Sequence, residues 1–290
     1  MNLSGLRVMV LGGKTGLLGQ SLTKTLASAG AVPIPLSSAD GDILDPHRVS
    51  RLIDRKDPDL LINAAAYTQV DQAEDEEELA FALNATAPPL LLAEAAKRFI
   101  PFVHFSTDFV FKGDKRTPYT EYDEPGAFSV YGISKTAGER NLLKIGYDKT
   151  LIIRTSWLFG PGRINFVEKI LGLAETRGAL SVVDDQTGSP SYAPDIAVGA
   201  LRLIEHDATG IYHVANSGET TWYRLARAAV ELAGMDCKVE PIPSRDYPTK
   251  AVRPAYSVLD LSRFIRTTGI TPRHWREALR DYVRQDLKRG

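Results

Sequence analysis

A compact apolar run, Arg7–Leu11, leads directly into Gly12-Gly13-Lys14-Thr15-Gly16-Leu17-Leu18-Gly19, and the helical pattern Leu17–Ala29 follows and stops at Gly30. A strand, a glycine turn and a helix in immediate succession restrict the chain to an open α/β arrangement, because the helix must fold back across the strand before it. The first half then repeats this alternation. Val32–Leu36, Leu60–Ala64, Phe102–Phe105 and Leu151–Arg154 are short apolar strand candidates, although Pro33 and Pro35 weaken the first of them. Helical patterns lie between them, including Tyr131–Leu143 and Glu76–Phe99, with a break expected near Pro88–Pro89. Strands that are apolar throughout and separated by helices predict a doubly wound parallel sheet covered on both faces.

After about Pro161 the pattern changes. Phe166–Glu175 and Pro194–Glu205 read as helices, Ser181–Val183 and Ile211–Val214 as short strands, and Trp222–Ala233 and Trp275–Leu287 as amphipathic helices. The expected organisation is a ligand-binding sheet domain over 1–160, with returning segments around 181–215, and a smaller, interleaved C-terminal substrate lobe over 161–290. The Pro- and Arg-rich stretch Pro241–Pro254 reads as a loop that packs on something, and the acidic run Glu74–Glu78 as a solvated helix start.

Composition removes several classes of function. A net charge of −1 gives no general attraction for nucleic acid or an anionic membrane. One cysteine, Cys237, excludes an intramolecular disulfide framework and a cysteine-based zinc site, and none of the five histidines joins a ligand cluster. His104 and His213 fall inside strand candidates and read as satisfied core or edge positions. No apolar run approaches the ~20 residues that span a bilayer. Met1–Arg7 lacks the parts of a signal peptide, which points to the cytoplasm.

The Gly13-x-x-Gly16-x-x-Gly19 spacing lets backbone N–H groups at a helix N-terminus approach a pyrophosphate. It is not a P-loop, since no Gly-Lys-Ser/Thr follows at the required distance. An acid that would read a ribose 2′-hydroxyl is missing from Leu36-Ser37-Ser38, and Lys14 sits in the glycine loop facing where a 2′-phosphate would lie. This favours NADPH and leaves NADH open. Asp42 and Ile43 are expected to border the adenine, and the small residues Ala64, Ala65 and Ala66 after Asn63 leave room for a cofactor.

Tyr131-Gly-Ile-Ser-Lys135 places a phenol and an ammonium four residues apart, on one helix face. The ammonium can lower the phenol's pKa and hold a ribose, and the phenol can protonate the oxygen of a carbonyl that accepts hydride. Phe105-Ser106-Thr107-Asp108-Phe109-Val110-Phe111 begins at a strand end, where Thr107 can hydrogen-bond the same oxygen.

Taken together, these pieces resemble the extended short-chain dehydrogenase/reductase family and, within it, the dTDP-4-dehydrorhamnose reductases. The resemblance runs through nearly the whole chain: Gly13–Gly16, Asn63–Glu74, Leu83–Thr86, Ser106–Phe111, Tyr131–Lys135, Arg154–Trp157, Asp185–Pro190 and Arg253–Pro254. It implies a Rossmann domain and a sugar-nucleotide lobe. The implied reaction is reduction of the C4 keto group of dTDP-4-dehydro-6-deoxy-L-mannose to dTDP-L-rhamnose by NADPH. Tyr131 would be the proton donor, Lys135 its partner and Thr107 the third member. Asp108 and Trp157 would contact the sugar, Asn84 would support the active-site helix, and Gly16, Leu17, Leu18, Asp42, Ile43, Ala66, Tyr67, Thr68, Tyr131 and Lys135 would hold the cofactor. The departures are mild: Phe109 for Tyr, Leu17 for Gln, and Ser191 for Thr after Pro190. Some members bridge two subunits through magnesium held by glutamates; Tyr192-Ala-Pro-Asp195 lacks the matching glutamate, so no metal is expected, and a homodimer stays open. Two alternatives remain. One is a noncatalytic NADP-binding regulatory subunit of the methionine adenosyltransferase type. The other is a reductase, dehydratase or epimerase for another nucleotide 4-ketosugar, where dehydratases need an acid at Phe109.

Overall fold

A computed structural model describes residues 1–288. In chain order the strands are β1 (Arg7–Leu11), β2 (Val32–Leu36), β3 (Leu60–Asn63), β4 (Phe102–Thr107), β5 (Thr150–Thr155), β6 (Leu158–Phe159), β7 (Ala179–Val183), β8 (Thr187–Gly188), β9 (Ser191–Tyr192), β10 (Gly210–His213), β11 (Thr220–Thr221) and β12 (Lys238–Ile242). The α-helices are α1 (Leu17–Ser28), α2 (Pro46–Lys56), α3 (Glu77–Phe81), α4 (Ala87–Lys97), α5 (Val130–Ile145), α6 (Phe166–Ala174), α7 (Ala193–Glu205), α8 (Trp222–Leu232), α9 (Ser262–Thr268) and α10 (Trp275–Asp281).

Six strands form one wholly parallel sheet in the order β10-β5-β4-β3-β1-β2. On one face, Leu18, Leu22 and Leu26 of α1 and Ile196, Ala197 and Ala200 of α7 pack on Val8, Val10, Ile62, Val103 and Ile153. On the other, Val49, Leu52 and Ile53 of α2, Leu91, Leu92 and Ala95 of α4, and Leu142 of α5 pack on Met9, Leu11, Leu61, Phe102 and Ile152. Both faces are therefore covered, as the apolar strands required. The order turns back between β1 and β3, and such a switch point opens a crevice at the strands' C-terminal ends.

The prolines of β2 are tolerated because β2 is the edge strand. Val32 N–H donates to the Leu6 carbonyl, so the alternate nitrogens of Pro33 and Pro35 face away from the ladder. Pro88 and Pro89 do not break their helix either. A π-turn over Ala82–Thr86 joins α3 to α4. Missing N–H groups at Pro88 and Pro89 leave the carbonyls of Asn84 and Ala85 without their usual partners, and Asn141 Nδ2 of α5 donates to the Ala85 carbonyl at 3.1 Å. The resulting helix, Glu77–Lys97, has 21 residues, and an 18-residue stretch within it has a mean hydropathy of 1.3, long and apolar enough by composition to cross a membrane, which runs against the sequence expectation. Half of that apolar stretch is buried in the protein, against α2 and α5.

The C-terminal half contributes α7 and β10 to the sheet domain. Ala179–Val183 does not return to that sheet as expected; it pairs in parallel with β12, a strand the sequence did not predict and whose last two residues, Pro241 and Ile242, fall in the expected loop. Its alternating burial explains the difference, since only one face of this two-stranded ribbon has a core to rest on. That core gathers α6, α8 and α10 around Phe159, Leu180, Val182 and Tyr192.

Candidate active site

The glycine turn is set by close approach. Gly12 has φ +78°, and a Cβ there would lie 3.0 Å from the Ala64 carbonyl oxygen, so this turn and the segment after β3 form the two walls of the crevice at the switch point. Gly16 caps α1 with no side-chain hydrogen bond and no acid in the first turn, so the helix N-terminus is free to face an anion. This fits a dinucleotide's pyrophosphate. Of the neighbouring positions, Gly13 packs on Pro35, Leu17 is half-buried, and Leu18 points into the core and can offer a ligand only its backbone.

Lys14 is not the free cation that the sequence suggested. Its Nζ bonds both carboxylate oxygens of Asp40, at 2.7 and 2.9 Å, and Asp40 also accepts from the Ser37 N–H and hydroxyl. The Lys14 hydrogen bond, followed by the Ser37 N–H, holds Asp40 down at about 2. A carboxylate thus stands near the end of β2 after all, folded back from the loop. Asp42 is exposed and accepts from the Leu44 N–H, while Ile43 packs beneath the loop. A cavity of about 890 Å³ beside the loop is lined by Asp40, Asp42, Arg48, Arg51 and Arg55.

Ala64, Ala65 and Ala66 are half-buried and Thr68 is exposed, with Tyr67 buried between them. Asn84 fixes this segment to the active-site helix. Its Oδ1 accepts from the Tyr67 N–H at 2.9 Å, and its Nδ2 donates to the Tyr67 carbonyl and to Ser134 Oγ of α5 at 3.1 and 3.0 Å. The Tyr67 hydroxyl donates to Glu76. Glu74 accepts from the Val130 N–H at the first turn of α5, and Lys250 pairs with Asp75. The acidic run is therefore only partly a solvated helix start: Glu77 and Glu78 are exposed, whereas the preceding acids hold neighbouring segments in place.

The structure brings Tyr131 and Thr107 together. Burial pushes the Tyr131 phenol up to about 12, and a hydrogen bond with the Thr107 hydroxyl opposes the shift. Gly132 makes this approach feasible, since a Cβ there would meet the Phe109 carbonyl at 2.4 Å. Lys135 does not perform the expected offset on the phenol. Its Nζ donates to the Phe105 carbonyl at 2.7 Å and lies 3.3 Å from His104 Nε2, and burial lowers it to about 8. Here the competing demand is local: a buried lysine amino group must place its N–H donors, and the β4 backbone offers an acceptor.

Asp108 is 1% exposed, and its carboxylate accepts from Ser257 Oγ at 2.6 Å and Thr107 Oγ at 3.1 Å. Burial raises it to about 6, against the pull of Ser257 and then Thr107. In this arrangement it supports Thr107 from behind, and a direct sugar contact would require displacing Ser257. Trp157 adopts φ +45° and stacks on Trp222 of α8 at 3.6 Å and 7°, with Phe166 against Trp222 at 4.5 Å.

The sequence profile of the RmlD substrate binding domain family matches residues 6–287. The chain belongs to this family. It is 41% identical over 273 residues to the spore coat polysaccharide biosynthesis protein SpsK of Bacillus subtilis, covering 94% of this chain and 95% of that protein. It is 40% identical to a dTDP-4-dehydrorhamnose reductase of Streptomyces griseus, covering 92% and 90%. The crystal structure of the dTDP-4-dehydrorhamnose reductase of Bacillus anthracis in complex with NADP superposes with a TM-score of 0.92 at 33% identity, over 96% of this chain and 98% of that one.

Within this family member, several residues at the site escaped sequence reading. Trp222 read only as a helix start, and Ser257 had no local signal. Asp40 was passed over because it lies four residues beyond Leu36. Arg48, Arg51 and Arg55 share one face of α2, a helix that was not expected, although Asp45-Pro46 is a legible start: Asp45 Oδ1 accepts from the His47 and Arg48 N–H groups.

Proposed function

We propose that this chain is the NADPH-dependent reductase of dTDP-4-dehydro-6-deoxy-L-mannose, yielding dTDP-L-rhamnose. The observation that carries the reading is the meeting of the Tyr131 phenol and the Thr107 hydroxyl at the C-terminal end of β4, beside the switch-point crevice. When bound, NADPH supplies hydride to C4. Tyr131, kept protonated by burial, gives its proton to the O4 that forms, and the Thr107 hydroxyl, on turning from the Asp108 carboxylate, donates a hydrogen bond to the same oxygen. Gly12 to Leu18 and Ala64 to Thr68 are the walls that would hold the dinucleotide, and Asp42 and Ile43 would border its adenine. Trp157 and Trp222 supply a flat apolar surface for the sugar nucleotide. The regulatory-subunit alternative is disfavoured by a complete tyrosine, lysine and threonine set, and the dehydratase alternative by Phe109.

The test is NADPH oxidation with purified protein across a panel of nucleotide 4-ketosugars, with the configuration of the product at C4 determined by NMR. Turnover of the named substrate to the L-manno product is expected. No turnover there, together with turnover of a different 4-ketosugar, would reassign the substrate; binding of NADP without any reduction would support the regulatory reading.

A further inference from the structure

Asn63, His104 and Lys135 come from β3, β4 and α5 and are at most 1% exposed, so every polar contact among them must be satisfied locally. Their donors and acceptors form a directed chain. Ala65 N–H donates to Asn63 Oδ1 at 3.1 Å, which fixes the orientation of the Asn63 amide. Asn63 Nδ2 then faces His104 Nδ1 at 3.1 Å, and an NH₂ group can only donate. His104 Nδ1 is therefore the acceptor. Burial drives His104 well below its ordinary pKa, so the ring is neutral and its single proton sits on Nε2. That N–H points at Lys135 Nζ, 3.3 Å away. An ammonium there would set a donor against a donor; an amine accepts from His104 and still donates to the Phe105 carbonyl at 2.7 Å.

We propose that, in mildly alkaline solution, Asn63 and His104 are positioning residues that hold Lys135 as a neutral amine in the cofactor-free enzyme, and that binding of NADP(H) there reverses the chain's polarity with uptake of one proton. In the reversed state the Asn63 amide turns over and its Oδ1 accepts from His104 Nδ1–H. His104 Nε2 accepts from a Lys135 ammonium, which also reaches the hydroxyl oxygens of a bound ribose. The histidine gains no net proton, since one leaves Nε2 as another joins Nδ1, and lysine takes one from solvent. Ala65 N–H, freed from Asn63, turns to the ligand that the same segment receives. The other charged groups around Lys135 do not upset this count. Glu139, one turn along α5, favours the ammonium but is paired with Arg154 of β5 at 2.6 Å, Asp108 is bound to Ser257 and Thr107, and the Tyr131 phenol is neutral. The inference rests on the cofactor half of the proposed function.

Two measurements on the wild-type protein test it. Long-range ¹H–¹⁵N NMR of histidine-labelled protein reports the tautomer directly, and a His104→Gln variant identifies the signal among the five histidines. We expect Nε2–H without cofactor and Nδ1–H with NADP⁺. Calorimetry of NADP⁺ binding in buffers of different ionisation heat counts protons without any variant. At about pH 8.5, above the titration range of a phosphate monoester, we expect uptake approaching one proton per site. A His104 Nδ1–H tautomer in the cofactor-free protein, or cofactor binding with no proton taken up, overturns the inference. Absence of any binding heat would instead defeat the cofactor reading, and the tautomer of the free protein would still decide the resting state of Lys135.

Discussion

Two residues carry separable consequences. Among the described residues, Tyr131 is the acid beside the Thr107 hydroxyl whose proton is secure at neutral pH. Tyr131→Phe should lower the turnover number by about 10²–10⁴-fold, while NADPH affinity, read by fluorescence titration, stays near wild type. A near-normal rate would remove Tyr131 as the proton donor. Asp108 makes its mark on stability. Its folded value of about 6 lies above the ordinary 3.8, so the folded protein holds this proton more tightly than the unfolded chain. The stabilisation is complete below 3.8 and is lost as the pH rises through about 6. A gap of about two units corresponds to about 3 kcal/mol at most. Asp108→Asn should flatten this part of the stability profile in urea unfolding between those values; an unchanged slope would mean that Asp108 titrates normally.

At the scale of elements, the loop after β2 joins the glycine turn through Lys14 and Asp40, and this pair should set the choice of cofactor. Asp40→Asn removes the carboxylate nearest Lys14 and frees the ammonium for a 2′-phosphate. The expected result is tighter NADPH and weaker NADH, with the ratio of dissociation constants moving about tenfold, or about 1.4 kcal/mol. Equal changes for both cofactors would show that the pair does not read the 2′ position. The same loop shows what sequence can and cannot convey. β1, β3 and β4 were legible because a strand buried on both faces is apolar throughout, and α1 because its glycine turn is local. The π-turn over Ala82–Thr86 was illegible, since it depends on what Asn141 offers the carbonyls that Pro88 and Pro89 leave open. Lys14 was misjudged for a similar reason: its partner lies 26 residues away and folds back over an edge. Tyr131 and Lys135 were singled out from their spacing and Thr107 from its place at a strand end, but the direction of Lys135 was not legible, because His104 stands 31 residues from it in the chain.

On the scale of the molecule, the strap over residues 250–258 is the piece that ties the lobe to the catalytic end of the sheet. Arg253 makes a bidentate pair with Asp71 at 3.0 and 2.7 Å, beside the segment whose Glu74 anchors the start of α5. Four residues later, Ser257 reaches Asp108 behind Thr107, across 149 positions of chain. The first contact is partly open to solvent, with side-chain exposures of 22% and 44%, so as an ion pair it contributes about 0–1 kcal/mol to stability. Its larger effect should be on the geometry of the site, because it fixes one end of the segment that delivers Ser257. Arg253→Ala should therefore leave the urea midpoint and the NADPH dissociation constant close to wild type. It should lower kcat/KM for the sugar nucleotide about tenfold, since about 1.4 kcal/mol of positioning is lost where substrate and strap meet. If cofactor affinity fell in parallel, the strap would be a general brace for the sheet domain; if neither constant moved, the substrate would take no support from this side of the cleft.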